Sequence, residues 1–195
     1  MFYEILNRGI FSSEGGEYFY INKYLPKRVK KNPGSFQDEY FKLIIRYKKG
    51  DANAIIMFAK LLNIIISNHF RFYDLILPIP PSSSYLDIYP NAIVCSYLNS
   101  ALGIKYLKGV IVCERGHKPG HIYGRGRGRD VSGSFSVKGR KALESKNIIL
   151  FDDIITTGRT FRTIKHEILK KGAGSVTGLF LGKTSMEQKK DDGGL

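Results

Sequence analysis

The sequence predicts an α/β fold: a doubly wound parallel sheet with flanking helices, preceded by a small N-terminal β-hairpin region. Three observations carry that expectation. Residues 148–151 read Ile-Ile-Leu-Phe without a break, as in a strand covered on both faces and hence in a parallel sheet. Around that run, short apolar stretches alternate with longer ones of helical periodicity, the order of βαβ units. The composition, 195 residues with 43% apolar and 25% charged side chains, is that of a globular domain long enough to bury a core.

Taken in order, residues 2–22 alternate apolar and aromatic side chains around Ser12-Ser13-Glu14-Gly15-Gly16. This reads as a hairpin whose second strand contains Tyr18, Phe19, Tyr20 and Ile21. A basic, turn-rich connector covers residues 26–34. A short amphipathic helix then places Phe41, Ile44 and Ile45 on one face, with Lys42, Arg46 and Lys49 largely off it. Gly50-Asp51 ends that helix and caps the next, residues 52–67, whose apolar face holds Ile55, Phe58, Ala59, Leu62 and Ile66.

Residues 73–80 are expected as the first strand of the parallel sheet. They run into Pro80-Pro81-Ser82-Ser83-Ser84, a rigid turn rich in hydroxyls. A helix over 91–102, stopped by Gly103, and a short strand over 108–113 follow. Residues 114–134 combine many Gly and Arg with no apolar periodicity, the pattern of a long loop of the lid or disordered kind. After residues 135–137 comes the central run, then a helix over 159–171 facing the sheet with Phe161, Ile164, Ile168 and Leu169. A last strand covers 175–181, and residues 182–195 read as a polar, frayed tail. The expected division is a hairpin and connector (1–37), the main domain (38–184) and a flexible tail (185–195).

Met1 is not followed by a basic patch and an apolar h-region, so no secretory leader is expected. The longest apolar stretch, residues 54–66, contains Lys60 and Asn63 and is too short to span a bilayer. Cys95 and Cys113 make neither a disulfide framework nor a zinc site. The expectation is a cytoplasmic, reduced protein without a membrane partner. A net charge of +14 suits nucleic acid, a polyanionic small molecule, or simply a basic solvated surface. Charge alone does not choose among them.

The chemistry concentrates where the apolar run ends. Asp152 and Asp153 stand at the strand's carboxyl end, and after two apolar residues come Thr156, Thr157, Gly158, Arg159 and Thr160, which open a helix. Free backbone N–H groups at a helix N-terminus, with hydroxyls and a Gly allowing close approach, cradle an anion such as phosphate. Two carboxylates one turn away suit a sugar phosphate, the acids taking ribose hydroxyls and the loop the 5′-phosphate. In open α/β sheets ligands bind at the carboxyl ends of strands. The Ser82 turn and the acid pair both fall at such ends.

Residues 148–160 resemble the phosphoribosyl-pyrophosphate (PRPP) motif of type I phosphoribosyltransferases at all thirteen positions. From about residue 41 onward the chain is similar to the ComF family of competence-associated, phosphoribosyltransferase-like proteins. Arg46-Tyr47-Lys48-Lys49-Gly50-Asp51 looks like that family's Lys-Tyr-x-Gly-Asp helix end, and Leu77-Pro78-Ile79-Pro80 like its Val-Pro-Val-Pro strand end. Arg127, Asp130, Gly133 and Phe135 look like its Arg-x-x-Asn-x-x-Gly-x-Phe stretch. Two features depart from the family: there is no N-terminal Cys cluster, and Tyr85-Leu86-Asp87-Ile88-Tyr89 stands where the family has Arg-Gly-Phe-Asn.

The resemblance implies PRPP as substrate and Mg²⁺ as cofactor, with Asp152 and Asp153 as the catalytic and metal-facing acids. It implies substrate contacts from Thr156, Thr157, Gly158, Arg159 and Thr160, pyrophosphate contacts from Ser82, Ser83 and Ser84, and a closing loop carrying Arg115, Arg125 and Arg127. The reaction is then phosphoribosyl transfer to a nitrogen nucleophile such as a nucleobase, with release of pyrophosphate. A second reading is a non-catalytic PRPP-binding accessory protein in DNA uptake or processing, whose Arg-Gly loop touches single-stranded DNA. Neither the acceptor nor the oligomeric state is fixed by the sequence, and a homodimer stays open.

Overall fold

The computed structural model describes residues 1–24, 32–81, 88–114 and 135–184. In chain order the elements are α1 (Phe2–Arg8), β1 (Phe11–Ser12), a 3₁₀ turn (Glu14–Gly16), β2 (Tyr18–Tyr24), α2 (Phe36–Lys48), α3 (Ala52–His69) and β3 (Leu75–Pro78). Then come α4 (Pro90–Leu102), β4 (Ile111–Cys113), β5 (Phe135–Val137), α5 (Arg140–Leu143), β6 (Asn147–Ile155), α6 (Arg159–Lys170) and β7 (Ser175–Thr184). Five strands form one sheet in the order β1-β2-β7-β6-β3. Within it β2, β7, β6 and β3 run parallel, and only the edge strand β1 is antiparallel. The protein is thus a mixed α/β fold with a mostly parallel central sheet, flanking helices and an N-terminal hairpin.

β6 sits between β7 and β3, and its residues 148–151 are fully buried. Alternate side chains feed two cores. Ile149 and Phe151 point into one built with α1 to α4, where Phe58, Leu62, Val94 and Leu98 pack. Ile148 and Leu150 point into the other, against Phe161, Ile164 and Ile168 of α6 and against the β4–β5 ribbon. Burial on both faces is what makes the run apolar throughout, because no face of the strand is left to water.

Local signals fix the helix starts. The Ser35 hydroxyl accepts from Asp38 N–H at the start of α2 (3.3 Å), and Asp51 Oδ1 accepts from Ala54 N–H at the start of α3 (2.8 Å). Gly103, in the left-handed conformation, ends α4. Helix α3 has the length and apolarity to cross a membrane. Here it is a core helix, with Phe58, Leu61 and Leu62 wholly buried.

Four expectations change. Residues 2–8 form a helix rather than a strand, because Ile5 is buried with Phe2 and Leu6 beside it in the helical core. That spacing, i, i+3, i+4, is helical. The hairpin is therefore only β1 and β2, and β2 continues into the main sheet by pairing with β7. The expected strand at 108–113 is outside the parallel sheet. β4 pairs antiparallel with β5 in a separate ribbon, and it is Lys105 that edges β3, through a single parallel bridge to Leu75. Finally, residues 182–184 are strand rather than tail, because β2 supplies partners for them: Asn22↔Gly182, Lys23↔Lys183 and Tyr24↔Thr184. Residues 185–195 lie outside the described residues.

Gly178 marks the tightest point of the second core. A Cβ there would sit 2.6 Å from Phe180 Cε2, 2.8 Å from Tyr18 Cβ and 2.9 Å from Phe161 Cε2. These rings already pack edge-on against one another, so none can give way alone. Gly178→Ala is expected to destabilise the fold by about 1–3 kcal/mol through overpacking, which lowers Tm by roughly 2–10 °C. An unchanged Tm would show that the core has room here.

Candidate functional site

β6 delivers Asp152 and Asp153 to the carboxyl edge of the sheet, and the strand changes there. Pairing with β7 runs through Asp152↔Phe180, omits Asp153, and resumes at Ile154↔Gly182. Opposite the gap, the Leu181 carbonyl accepts from the buried Tyr40 phenol. Asp153 N–H turns back to its neighbour, donating to Asp152 Oδ1 at 2.8 Å. The alternation of faces slips at the same place: Phe151 and Ile154 both lean on the helical core, and Ile155 on the other. The two acids therefore both face α2 and α4, although adjacent residues of a regular strand point to opposite sides.

The helices meet them with polar groups. Asn91, in the first turn of α4 and 4% exposed, donates from Nδ2 to Asp152 Oδ1 at 2.9 Å. Its Oδ1 accepts from the Tyr47 phenol of α2 at 2.7 Å. Burial pushes the Tyr47 phenol up, so it stays a proton donor and holds the Asn91 amide in one orientation. Next along α2, Lys48 Nζ lies 3.3 Å from Asp153 Oδ1. Tyr89, just before α4, donates to the Ile79 carbonyl and ties the exit of β3 to this cluster. β3 leaves the sheet at the same edge, since Pro78 pairs with Phe151.

Asp152 is held above the usual carboxylate range, up to about 8. Burial of its carboxyl is the first cause and the adjacent Asp153 charge the second; the Asp153 N–H, Lys48 and Asn91 act in the opposite direction. A carboxylate charge at Asp152 is disfavoured in this partly dry setting beside a second acid.

One turn further on, Thr156, Thr157 and Arg159 are exposed, Thr160 is half-buried and Gly158 is buried. Gly158 has φ +75° and precedes α6, which has no acid in its first turn and no cap from Gly158 itself; the Thr157 hydroxyl accepts from Arg159 N–H at a long 3.5 Å. A side chain at 158 would be strained, and its Cβ would meet Arg162 Nη1 at 3.3 Å. Arg162 straps the loop by donating to the Thr157 carbonyl at 3.1 Å and pairing with Glu17 at 3.3 Å. The positive end of the α6 dipole is thus left open towards solvent beside the acids, as an anion site requires.

Of the residues expected from sequence, Asp152, Asp153, Thr156, Thr157, Gly158, Arg159 and Thr160 come together on one strand end and helix start. Ser82, Ser83, Ser84, Arg115, Arg125 and Arg127 lie outside the described residues. Tyr47, Lys48 and Asn91 escaped the site reading. Tyr47 and Lys48 fall in the stretch that looks like the ComF helix end, which gave no role to either. Asn91 carried a weak signal, a polar residue at the helix start followed by the apolar run Ala92 to Cys95. A cleft of about 530 Å³ lined by Phe70, Arg71, Lys105 and Lys146 opens at the other end of the sheet, where β3 and β6 begin, away from the acids.

No family profile matches this chain, and neither does any curated protein. Among solved structures it is similar to phosphoribosylpyrophosphate synthetase from Mycobacterium smegmatis, with 20% identity, a TM-score of 0.41, and 66% of this chain and 34% of that one covered. It is also similar to hypoxanthine phosphoribosyl transferase of Trypanosoma cruzi, with 15% identity, a TM-score of 0.40, and 85% and 78% covered. The chain spans about a third of the length of the first. At such scores neither likeness carries the functional argument, which rests on the residues at the end of β6.

A pH signature follows from Asp152. In the unfolded chain an Asp ionises near pH 4, whereas in the fold this one keeps its proton to about 8. Between those values the unfolded state binds fewer protons, so stability falls as pH rises. Asp152→Asn removes that cost and keeps an acceptor for Asn91 and for Asp153 N–H. Without ligand, its Tm is expected to exceed that of wild type at pH 8, with the gap shrinking towards pH 4. A Tm below wild type at pH 8 would contradict this.

Proposed function

We propose that this chain binds PRPP at the carboxyl edge of β6 and transfers its phosphoribosyl group to a nitrogen nucleophile, releasing pyrophosphate. One observation carries the reading: two carboxylates leave a buried central strand on the same side, immediately before a helix start whose Gly158 needs a positive φ. Acids there suit the ribose hydroxyls and open amides suit the 5′-phosphate. The resemblance of residues 148–160 to the PRPP motif supports the same reading, and the resemblance to the ComF family narrows it.

The residues fit Mg²⁺ as the protein's share of a coordination shell. The described residues hold no cluster of three or more His, Cys, Asp or Glu, and Mg²⁺ is usually held by one or two carboxylates, with waters and substrate phosphates completing the octahedron. Asp152 and Asp153 would hold it, and when bound it would offset the charge of the leaving pyrophosphate.

In the transfer, the bond from the anomeric carbon to pyrophosphate breaks and the pyrophosphate oxygen keeps the electron pair. The nucleophile's nitrogen lone pair forms the new bond, and its proton passes to solvent or to a carboxylate. Asp152 and Asp153 hold the ribose so that attack is in line. The backbone amides from Thr157 to Thr160, with the Thr hydroxyls, anchor the 5′-phosphate. Positioning of this kind, with little covalent chemistry, lowers the barrier by fixing the reacting atoms in advance. Ser82 to Ser84 and the arginines Arg115, Arg125 and Arg127 belong to the same proposal as pyrophosphate contacts.

Isothermal titration of the protein with PRPP in Mg²⁺ buffer tests it. Heat of binding with wild type and at least a tenfold loss with Asp153→Asn are expected; no heat with wild type would end the reading. Pyrophosphate release across a panel of nucleobases then tests transfer, and binding without release on any base favours the accessory role.

A further inference from the structure

The end of α2 contributes a cation to the acid pair. Lys48 Nζ reaches Asp153 Oδ1 at 3.3 Å, with side-chain exposures of 41% for Lys48 and 21% for Asp153. The stem is fixed at its base, because the preceding Tyr47 is wholly buried and bonded to Asn91. The head is free to move, since no other ion pair holds it among the described residues. A half-exposed pair of this kind is weak and exchangeable, and a lysine is a compact point charge on a flexible stem rather than a rigid fork.

The two acids differ in what they already hold. Asp152 Oδ1 accepts two internal N–H groups, from Asn91 and from Asp153. Asp153 has the ammonium instead. A polyanion approaching this edge therefore meets one carboxylate whose Oδ1 already holds two N–H groups and one that is masked by Lys48. Without the mask, the acids would repel the ligand that they are placed to bind.

We infer that Lys48 is an exchangeable counter-ion of the site: it covers Asp153 while the site is free, then turns to a phosphate oxygen of the ligand as hydroxyls and a divalent cation take over the carboxylate. This rests on the sugar-phosphate reading above and adds a ligand-binding residue from outside the β6 motif. The same ammonium competes with the metal for Asp153 and joins it in neutralising the phosphates. The two ligands must therefore respond to its loss with opposite sign.

The test is a pair of titrations on wild type, Lys48→Met and Lys48→Arg, with far-UV circular dichroism confirming that each is folded. With Mn²⁺ alone, followed by electron paramagnetic resonance, Lys48→Met should bind severalfold more tightly than wild type. With PRPP and Mg²⁺, it should bind roughly tenfold more weakly, the size of one lost charge-assisted hydrogen bond, and Lys48→Arg should restore most of that loss. If wild type binds PRPP and Lys48→Met binds it equally well, the counter-ion role is wrong while the site stands. The role is also wrong if Lys48→Met weakens Mn²⁺ and PRPP alike. If wild type binds no PRPP, both fall together.

Discussion

Everything at the candidate site follows from the position of β6. It is hydrogen-bonded on both edges, to β3 and to β7, and buried on both faces for residues 148–151. Such a strand has no freedom in its interior, so its end is placed as accurately as any point in the fold. Polar residues can appear only where the covering layers stop. In this chain they stop at Asp152, and the ladder opens at the next residue. The gap lets a second acid turn to the same side as the first, which a regular pleat forbids. Rigid strand and local irregularity together make the pair.

Two adjacent carboxylates against a buried edge are unfavourable in themselves. The surroundings distribute the cost rather than remove it. Asn91 and the Asp153 N–H satisfy one oxygen of Asp152, and Tyr47 fixes Asn91 so that its amide, not its carbonyl, faces the acid. Lys48 covers Asp153. These partners come from α2 and α4, which pack on the same face of the sheet. The cost that remains is expressed in the raised Asp152, where burial and the neighbouring Asp153 outweigh the groups that oppose them.

The fold was legible where one period dominated. The apolar run of β6, the Asp51-capped start of α3 and the Gly103 stop of α4 each combined pattern with a local signal, and each was found. Residues 2–8 were misread because Phe2, Ile5 and Leu6 satisfy a helical spacing inside a segment that also alternates. For residues 108–113 the sequence shows that a strand exists but not which partner it takes; β4 pairs with β5, which lies more than twenty residues further along the chain. β7 was cut short at Leu181 because Gly182 and Lys183 are poor strand formers, and β2, from the far N-terminus, stabilises them as a neighbour. At the site, Asp152 to Thr160 stood together in the sequence and could be read as a unit. Tyr47, Lys48 and Asn91 lie some 60 to 100 positions upstream and reach the acids only through the packing of α2 and α4, so nothing local announced them.

The central claim is that the acid pair and the α6 start form one sugar-phosphate site. A crystal structure of the protein soaked with ribose 5-phosphate tests it most directly. The account predicts the phosphate within hydrogen-bond distance of the backbone N–H groups between Thr157 and Thr160, with ribose hydroxyls on Asp152 and Asp153. Ribose 5-phosphate bound elsewhere, such as in the cleft lined by Arg71 and Lys105, with the β6 edge holding only water, would contradict it.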